Sequence, residues 1–455
     1  MQPSLSANDL ANQVNNSLFA GKTWVGSPDP WVLDSDQVGL LDQLGKAAIA
    51  FYQAIDLLYR KSYSGKSILR NQSLLIPWVS EYYDAGKPNW LINHARSDAV
   101  QRISPSVLRP DLLPTAKGYA LTEWDSVPGG IGLTAHLEAL YGLSKGGRMV
   151  ESFGEALAYA ARDLGGKQAN MAIVVSEESA TYRPEMEWLA EELRQRSFSI
   201  QVCSPEELSV QGEELLLGND RIELVYRFWE LFDYENIPLM RELIPLVESG
   251  QLAVTPPMKH TQEEKLSLAL LHHHRLQPFW EEVMDEKDLV LLRAMIPPTW
   301  VLDPAELPPG ASLDGPLVNG RRLTEWMDLG KASKKERILV LKASGFHETA
   351  WGARSVRVGD DLSAEDWSAS LKSALEAFPR PVSVLQKFCK PRQWEHPVFG
   401  EGDQIEPMKG RLRLSPYYFV AGGKAQRVGA LATFCPADKK IIHGMRDGAL
   451  MPCTA

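Results

Sequence analysis

The chain of 455 residues carries a formal net charge of −10 at pH 7, with 44% hydrophobic residues and four cysteines. That length supplies two or three domains with sizeable cores, and an acidic chain without a basic stripe gives no reason to expect a nucleic-acid partner. Cys203, Cys389, Cys435 and Cys453 lack C-x-x-C spacing, so neither a zinc site nor a disulfide framework is indicated.

The opening "MQPSLSANDLANQVNNS" has neither a basic n-region nor an apolar h-region, and no stretch reaches the roughly 18 apolar residues of a membrane span. A cytoplasmic protein with no membrane partner is expected. Residues 1–105 read as mainly helical, with apolar residues at helical spacing in "LLDQLGKAAIAFYQAIDLLYRKSY" and a loop, "SPDPWVLDSD", before it. Residues 106–165 hold an acid-bearing hairpin and the helix pattern "TAHLEALYGLSKGG", closed by glycines. Residues 166–252 alternate apolar strands with amphipathic helices, the signature of a small parallel sheet with covering helices. From 253 to 455 the pattern changes. "KLSLALLHHHR" and "PFWEEVMDEKDLVLLRAMI" are helical, "PPTWVLDPAELPPGASLDGP" is a Pro-rich connector, and "RILVLKASGFHETAWGARSVRVG" is strand, loop, strand. "PVSVLQKF", "GRLRLSPYYFVAGGKAQRVGALATF" and "KKIIHGM" read as antiparallel sheet. The fold class is therefore α+β / α/β.

The hairpin, "RPDLLPTAKGYALTEWDSVPGG", concentrates charge. Residues i and i+2 of a strand share a face, so Glu123 and Asp125 point one way and Trp124 the other. If "RPDLL" is the neighbouring strand, Asp111 joins the acids and Arg109 reaches the same place. Crowded carboxylates suit a hard cation such as Mg²⁺, and an arginine beside them suits a phosphate. The alternative is a solvated hairpin with surface charge. Lys342 closes the strand "ILVLK" before a small-residue loop, where an ammonium and backbone N–H groups can surround phosphates; a lysine snorkelling from a strand end is the alternative. Lys265 sits early in a helix after "VTPPMKH", and Gln386 in "SVLQKF" could present its amide to an adenine edge.

The order of these residues resembles the circularly permuted ATP-grasp family, whose best-known member is the synthetase part of glutathionylspermidine synthase. It runs R-x-D, E-x-D, an α/β stretch, T-P-P-x-K with a lysine six beyond, strand-K-loop, V-L-Q-x-F and a late arginine. The resemblance covers about residues 105–450 and implies a permuted ATP-grasp core with a pre-ATP-grasp-like α/β segment. It implies that Asp111, Glu123 and Asp125 ligate magnesium and that Arg109 and Arg446 face the transferred phosphate. It further implies that Lys265 and Lys342 hold ATP phosphates, that the loop bearing Ser344, Gly345 and Gly352 forms a lid, and that Gln386 lies by the adenine. The implied reaction is ATP- and Mg²⁺-dependent activation of a carboxylate as an acyl phosphate, which an amine then attacks; the substrates would be small molecules or peptides. The family usually has E-x-N where this chain has Glu123-x-Asp125, and R-E-G where this loop reads "FHETAWGARS". A degenerate protein that binds nucleotide or a partner without ligating is therefore an alternative.

A third reading is an NAD(P)-dependent oxidoreductase, since "GGIGLTA" contains G-x-G-x-x-A at residues 130–135 and opens a helix. His272, His273 and His274 invite a metal, but successive positions of a continuous helix point about 100° apart and cannot chelate one ion together.

Overall fold

The structure, a computed structural model, describes residues 6–10, 23–125, 127–143, 147–350, 354–400, 404–438, 442 and 446–455. Part of the expected strand "KKIIHGM" lies outside them, as does Gly352.

Among the described residues the largest sheet has eight strands. Its spine runs Thr23–Val25, Arg446–Thr454, Lys424–Pro436, Ile405–Ala421, Val107–Thr115, Gly118–Asp125. Gln393–Phe399 adds to the long 405–421 strand and Trp31–Val32 to the 446–454 strand. Neighbours along the spine are antiparallel except the first pair. The expected loop "SPDPWVLDSD" thus contains a short strand, and the first hundred residues are not purely helical. Trp31 explains the departure, since its ring packs on Trp394, His396 and Phe434 and draws the segment onto the sheet.

The helix Ser35–Tyr63 covers one face of this sheet. It starts at a capping box, in which Gln37 N–H donates to Asp34 Oδ1 (2.8 Å) and Asp34 N–H to Gln37 Oε1 (3.0 Å). Its apolar stripe, including Leu41, Leu44, Ala48, Phe51, Ile55 and Leu58, is buried. Gly45 lies so close to the Tyr418 ring that a Cβ there would sit 2.7 Å from it, and Tyr418 Oη donates to Leu41 O (2.6 Å). Both contacts fix the helix on the 405–421 strand, leaving the opposite face of the sheet for the cavity described below.

The α/β stretch forms a parallel sheet, as its alternation predicts, and a fourth strand joins from just beyond its expected end at 252; the order is Ala253–Thr255, Leu224–Phe228, Met171–Val175, Ile200–Cys203. A further antiparallel sheet is built from Thr299–Leu302, Ser383–Lys387, Leu339–Ala343 and Arg357–Val358. "TWVL" was expected in the connector but pairs with 383–387 as a strand; its two prolines precede it, where they do not interrupt the ladder.

Candidate active site

The hairpin Val107–Thr115/Gly118–Asp125 pairs Arg109 with Asp125 and Asp111 with Glu123. Trp124 points to the opposite face, against Tyr52 of the long helix. Just beyond Glu123 the register shifts: Asp111 faces Glu123 but Leu112 faces Leu121, so Thr122 is the extra residue of a bulge. Its hydroxyl donates to Asp111 O (3.2 Å), and its own carbonyl accepts Lys342 Nζ (3.2 Å). The bulge therefore supplies the acceptor that aims the lysine.

One cavity of about 490 Å³ gathers Arg109, Asp111, Glu123, Asp125, Lys265, Lys342 and Gln386. Asp111 is held by three partners: Arg413 Nη1 (3.1 Å), Ser415 Oγ (2.9 Å) and Arg109 Nε (3.4 Å). Burial alone would raise its pKa, but Arg413, Arg109 and the Ser415 hydroxyl outweigh it and hold the carboxyl below its usual range. Arg109 also reaches Asp125 Oδ2 (2.8 Å) and donates to Gly129 O (3.1 Å). Asp125 is shifted upward by burial, with Glu123 and Asp111 adding to the effect against Arg109. Lys265 pairs with Glu123 Oε1 (2.8 Å) and donates to Ala350 O (3.2 Å) in the loop after the 339–343 strand. Its pKa is raised because Glu123 more than offsets burial.

Lys342 differs. It donates to two neutral acceptors, Thr122 O and Gln386 Oε1 (3.0 Å), and burial lowers its pKa to about 8. Gln386 is itself fixed by donating Nε2 to Thr299 Oγ1 (3.1 Å), so both ends of its amide are used within the protein, and here it orients the lysine. The T-P-P-x-K lysine, Lys259, turns away from the cavity to Asp56 (2.5 Å) and the carbonyls of Gln101 and Ile103.

The loop after Lys342 is tied down at its base. Ser344 Oγ donates to Glu264 and accepts Leu266 N–H (2.8 Å), Lys265 N–H donates to Ser344 O (2.9 Å), and Glu264 is neutralised by Lys87 (2.5 Å) with both side chains buried. At Gly345 a Cβ would lie 2.4 Å from Glu263 O, which explains the residue. Arg446 begins the strand Arg446–Thr454, opposite Thr23; its side chain lies outside the described residues.

Several cavity residues were not singled out from sequence. Arg413 and Ser415 were legible in "GRLRLSPY", whose alternation puts Arg411, Arg413, Ser415 and Tyr417 on one face. Glu230 also lines the cavity; burial, Glu263 and Asp125 push its carboxyl well above the usual range. Only its fold context reveals this.

Two other signals resolve differently. The helix Ile131–Leu140 directs Gly130, Gly132 and Leu133 N–H groups onto the buried Glu185 carboxylate (3.2, 2.8 and 3.3 Å). The helix start that a dinucleotide pyrophosphate would need is filled from within. The histidines correct the expectation of divergence for two of the three. The helix ends at His272, and His273 is extended (φ −64°, ψ 123°), so the rings of His273 and His274 stack at 4.9 Å and both face Asp314. His273 Nδ1 accepts Arg275 N–H (3.3 Å), and Asp314 Oδ2 lies 3.7 Å from His273 Nε2 and 3.4 Å from His274 Nδ1.

No protein-family description and no curated protein matches the chain. Solved structures do. A glutathione synthetase-like effector from Globodera pallida superposes with a TM-score of 0.59 at 12% identity, over 99% of this chain and 95% of that one. The likeness is one of fold. A protein from Methylobacillus flagellatus named for gamma-glutamylcysteine synthetase matches at a TM-score of 0.42 and 13% identity, over 78% of this chain and 80% of that one.

Proposed function

We propose that the chain is an ATP- and Mg²⁺-dependent carboxylate–amine ligase on a circularly permuted ATP-grasp core, acting in the cytoplasm. The observation that carries this reading is the convergence of Lys265, Lys342, Arg109, Arg413, Asp111, Glu123 and Asp125 from separated segments on one cavity. The fold shared with a synthetase-like protein supports it.

The residues fit magnesium with one adjustment. Among the described residues, the oxygens of Asp111, Glu123 and Asp125 are not gathered within 4.8 Å of one another. Asp111 is committed to Arg413, Arg109 and Ser415, whereas Glu123 and Asp125 are the more exposed acids (side chains 38% and 26%). Mg²⁺ usually takes one or two carboxylates with substrate phosphates, so Glu123 and Asp125 would hold it. Bound there, the ion would neutralise phosphate oxygens and polarise the transferred phosphoryl group. Lys265 and Lys342 hold the phosphates of ATP. Arg109, pinned by Asp111, Asp125 and Gly129 O, presents a fixed positive charge to the phosphoryl group in transfer, at no cost in reorganisation. The substrate carboxylate takes the γ-phosphoryl group, and the attacking amine displaces phosphate.

The test is calorimetry of ATP with and without Mg²⁺ on wild type and Glu123→Gln, followed by phosphate release across paired carboxylates and amines. Magnesium-dependent binding that the variant loses supports the site. Failure of ATP to bind wild type at all would remove the reading; binding without turnover on any pair would favour the degenerate alternative, which the altered loop sequence motivates.

A further inference from the structure

Beyond the charged residues the cavity changes character, and the register of the large sheet shows how. Arg413 lies opposite Thr433, and Thr433 opposite Leu450. Two residues along the same strand, Ser415 lies opposite Leu431. All five line the cavity, with Trp24 on the next strand. One sheet face thus passes from Asp111 through Arg413 and Ser415 to an apolar wall of Leu431, Leu450 and Trp24. The acids lining the cavity, Asp111, Glu123, Asp125 and Glu230, all belong to its charged side.

Among the described residues, two polar atoms at this border have no partner. Thr433 Oγ1 belongs to a residue with 0% exposure and makes no hydrogen bond, and Arg413 Nε is buried without an acceptor although Nη1 holds Asp111. Buried polar groups in folded proteins are nearly always paired, so an open hydroxyl and an open guanidinium N–H on neighbouring strands call for an oxygen from outside. A carboxylate meets that need through a charge-assisted bond.

We propose that this border is the acceptor subsite, and that it selects a monocarboxylate with an apolar body. The carboxylate takes Arg413 Nε–H and the Thr433 hydroxyl, beside the phosphate-handling residues, and an aliphatic or aromatic chain lies on Leu431, Leu450 and Trp24. Among the described residues, Leu431, Leu450 and Trp24 offer a polar or dianionic acid no counter-charge. The substrate class rests on the ligase reading, but binding at the subsite does not require ATP.

The experiment is calorimetry of the nucleotide-free full chain with acetate, butyrate, hexanoate and octanoate, and with pentanoate against glutarate. Affinity rises about fourfold per methylene until the wall is covered, and glutarate binds at least about tenfold more weakly than pentanoate. Thr433→Val keeps the shape and removes the hydroxyl. It lowers hexanoate affinity about tenfold, while its Tm is unchanged or higher, because that hydroxyl has no partner in the free protein. Equal affinities along the series, glutarate binding as well as pentanoate, or undiminished hexanoate binding by Thr433→Val would each overturn the proposal. ATP·Mg²⁺ titrated into the same protein separates the two ideas. ATP binding with glutarate preferred leaves the ligase and removes this subsite, whereas chain-length-dependent binding without ATP binding keeps the subsite and removes the ligase.

Discussion

Lys342 gives the sharpest test, because burial lowers its pKa to about 8 and places its titration in an accessible range. In the unfolded chain a lysine titrates near 10.4. The folded pKa is depressed, so between about 8 and 10 the unfolded chain binds more protons and stability rises with pH through this residue, by at most about 1.4 kcal/mol per unit. Below about 8 both states hold the proton and the effect vanishes. ATP binding runs the other way, because the phosphates need the charged amine. About nine-tenths of Lys342 is charged at pH 7 and about one-tenth at pH 9, so the apparent Kd for ATP weakens about tenfold across that interval and about tenfold more per unit beyond it. Calorimetry at fixed free Mg²⁺ measures this directly. Lys342→Arg carries a charge that does not titrate, so its affinity stays flat. A flat wild-type profile between pH 7 and 9, or the same slope in Lys342→Arg, would refute the assignment of the lysine to the phosphates.

Three further outcomes are expected. Glu123→Gln removes the partially exposed partner of Lys265 and weakens magnesium-dependent ATP binding at least about tenfold, which calorimetry checks. Gly345→Ala forces a Cβ against the Glu263 carbonyl and costs about 1–3 kcal/mol, read from urea denaturation; an unchanged midpoint would show that the loop base can move aside. Arg227, fully buried, holds Glu263 and the carbonyls of Pro256, Trp229 and Pro257, so Arg227→Met strands a buried carboxylate and costs about 3–5 kcal/mol in the same assay.

What the sequence made legible follows strand period and local chemistry. Arg109, Asp111, Glu123 and Asp125 could be placed together because a two-residue period and one turn suffice to define a hairpin face. The bulge at Thr122 could not be read, since one extra residue leaves no mark in composition, yet it aims Lys342. Gln386 carries the amide expected of it, but its neighbours Lys342 and Thr299 lie on two other strands, so its bonding depends on sheet order that no local pattern encodes. The histidines failed for a related reason. Apolar periodicity continues through "LSLALLH", and the break at His273 follows from Gln277 capping the carbonyls of Leu271 and His273 from beyond the helix. The glycines of "GGIGLTA" were read as a dinucleotide motif opening a helix, but the group their backbone meets is Glu185, more than fifty residues away in the chain.

The partners of the acids divide their labour in a way that the resemblance alone does not. Asp111 is buried, with two arginines and a hydroxyl on it, and removing such a group strands the charges it holds. Glu123 has a single lysine and a side chain 38% exposed, so its carboxylate is the one open to a new partner. On the proposed reading, a nucleotide arriving with its cation breaks this pair: Lys265 exchanges Glu123 for phosphate, and Glu123 exchanges Lys265 for the cation, so both keep a charged partner. Asp111 does not need to move for this. It keeps Arg109 and Arg413 oriented, one toward the phosphoryl group and the other toward the acceptor, so the acid nearest the centre of the site acts as an anchor for cations while the outer acids remain available to a metal.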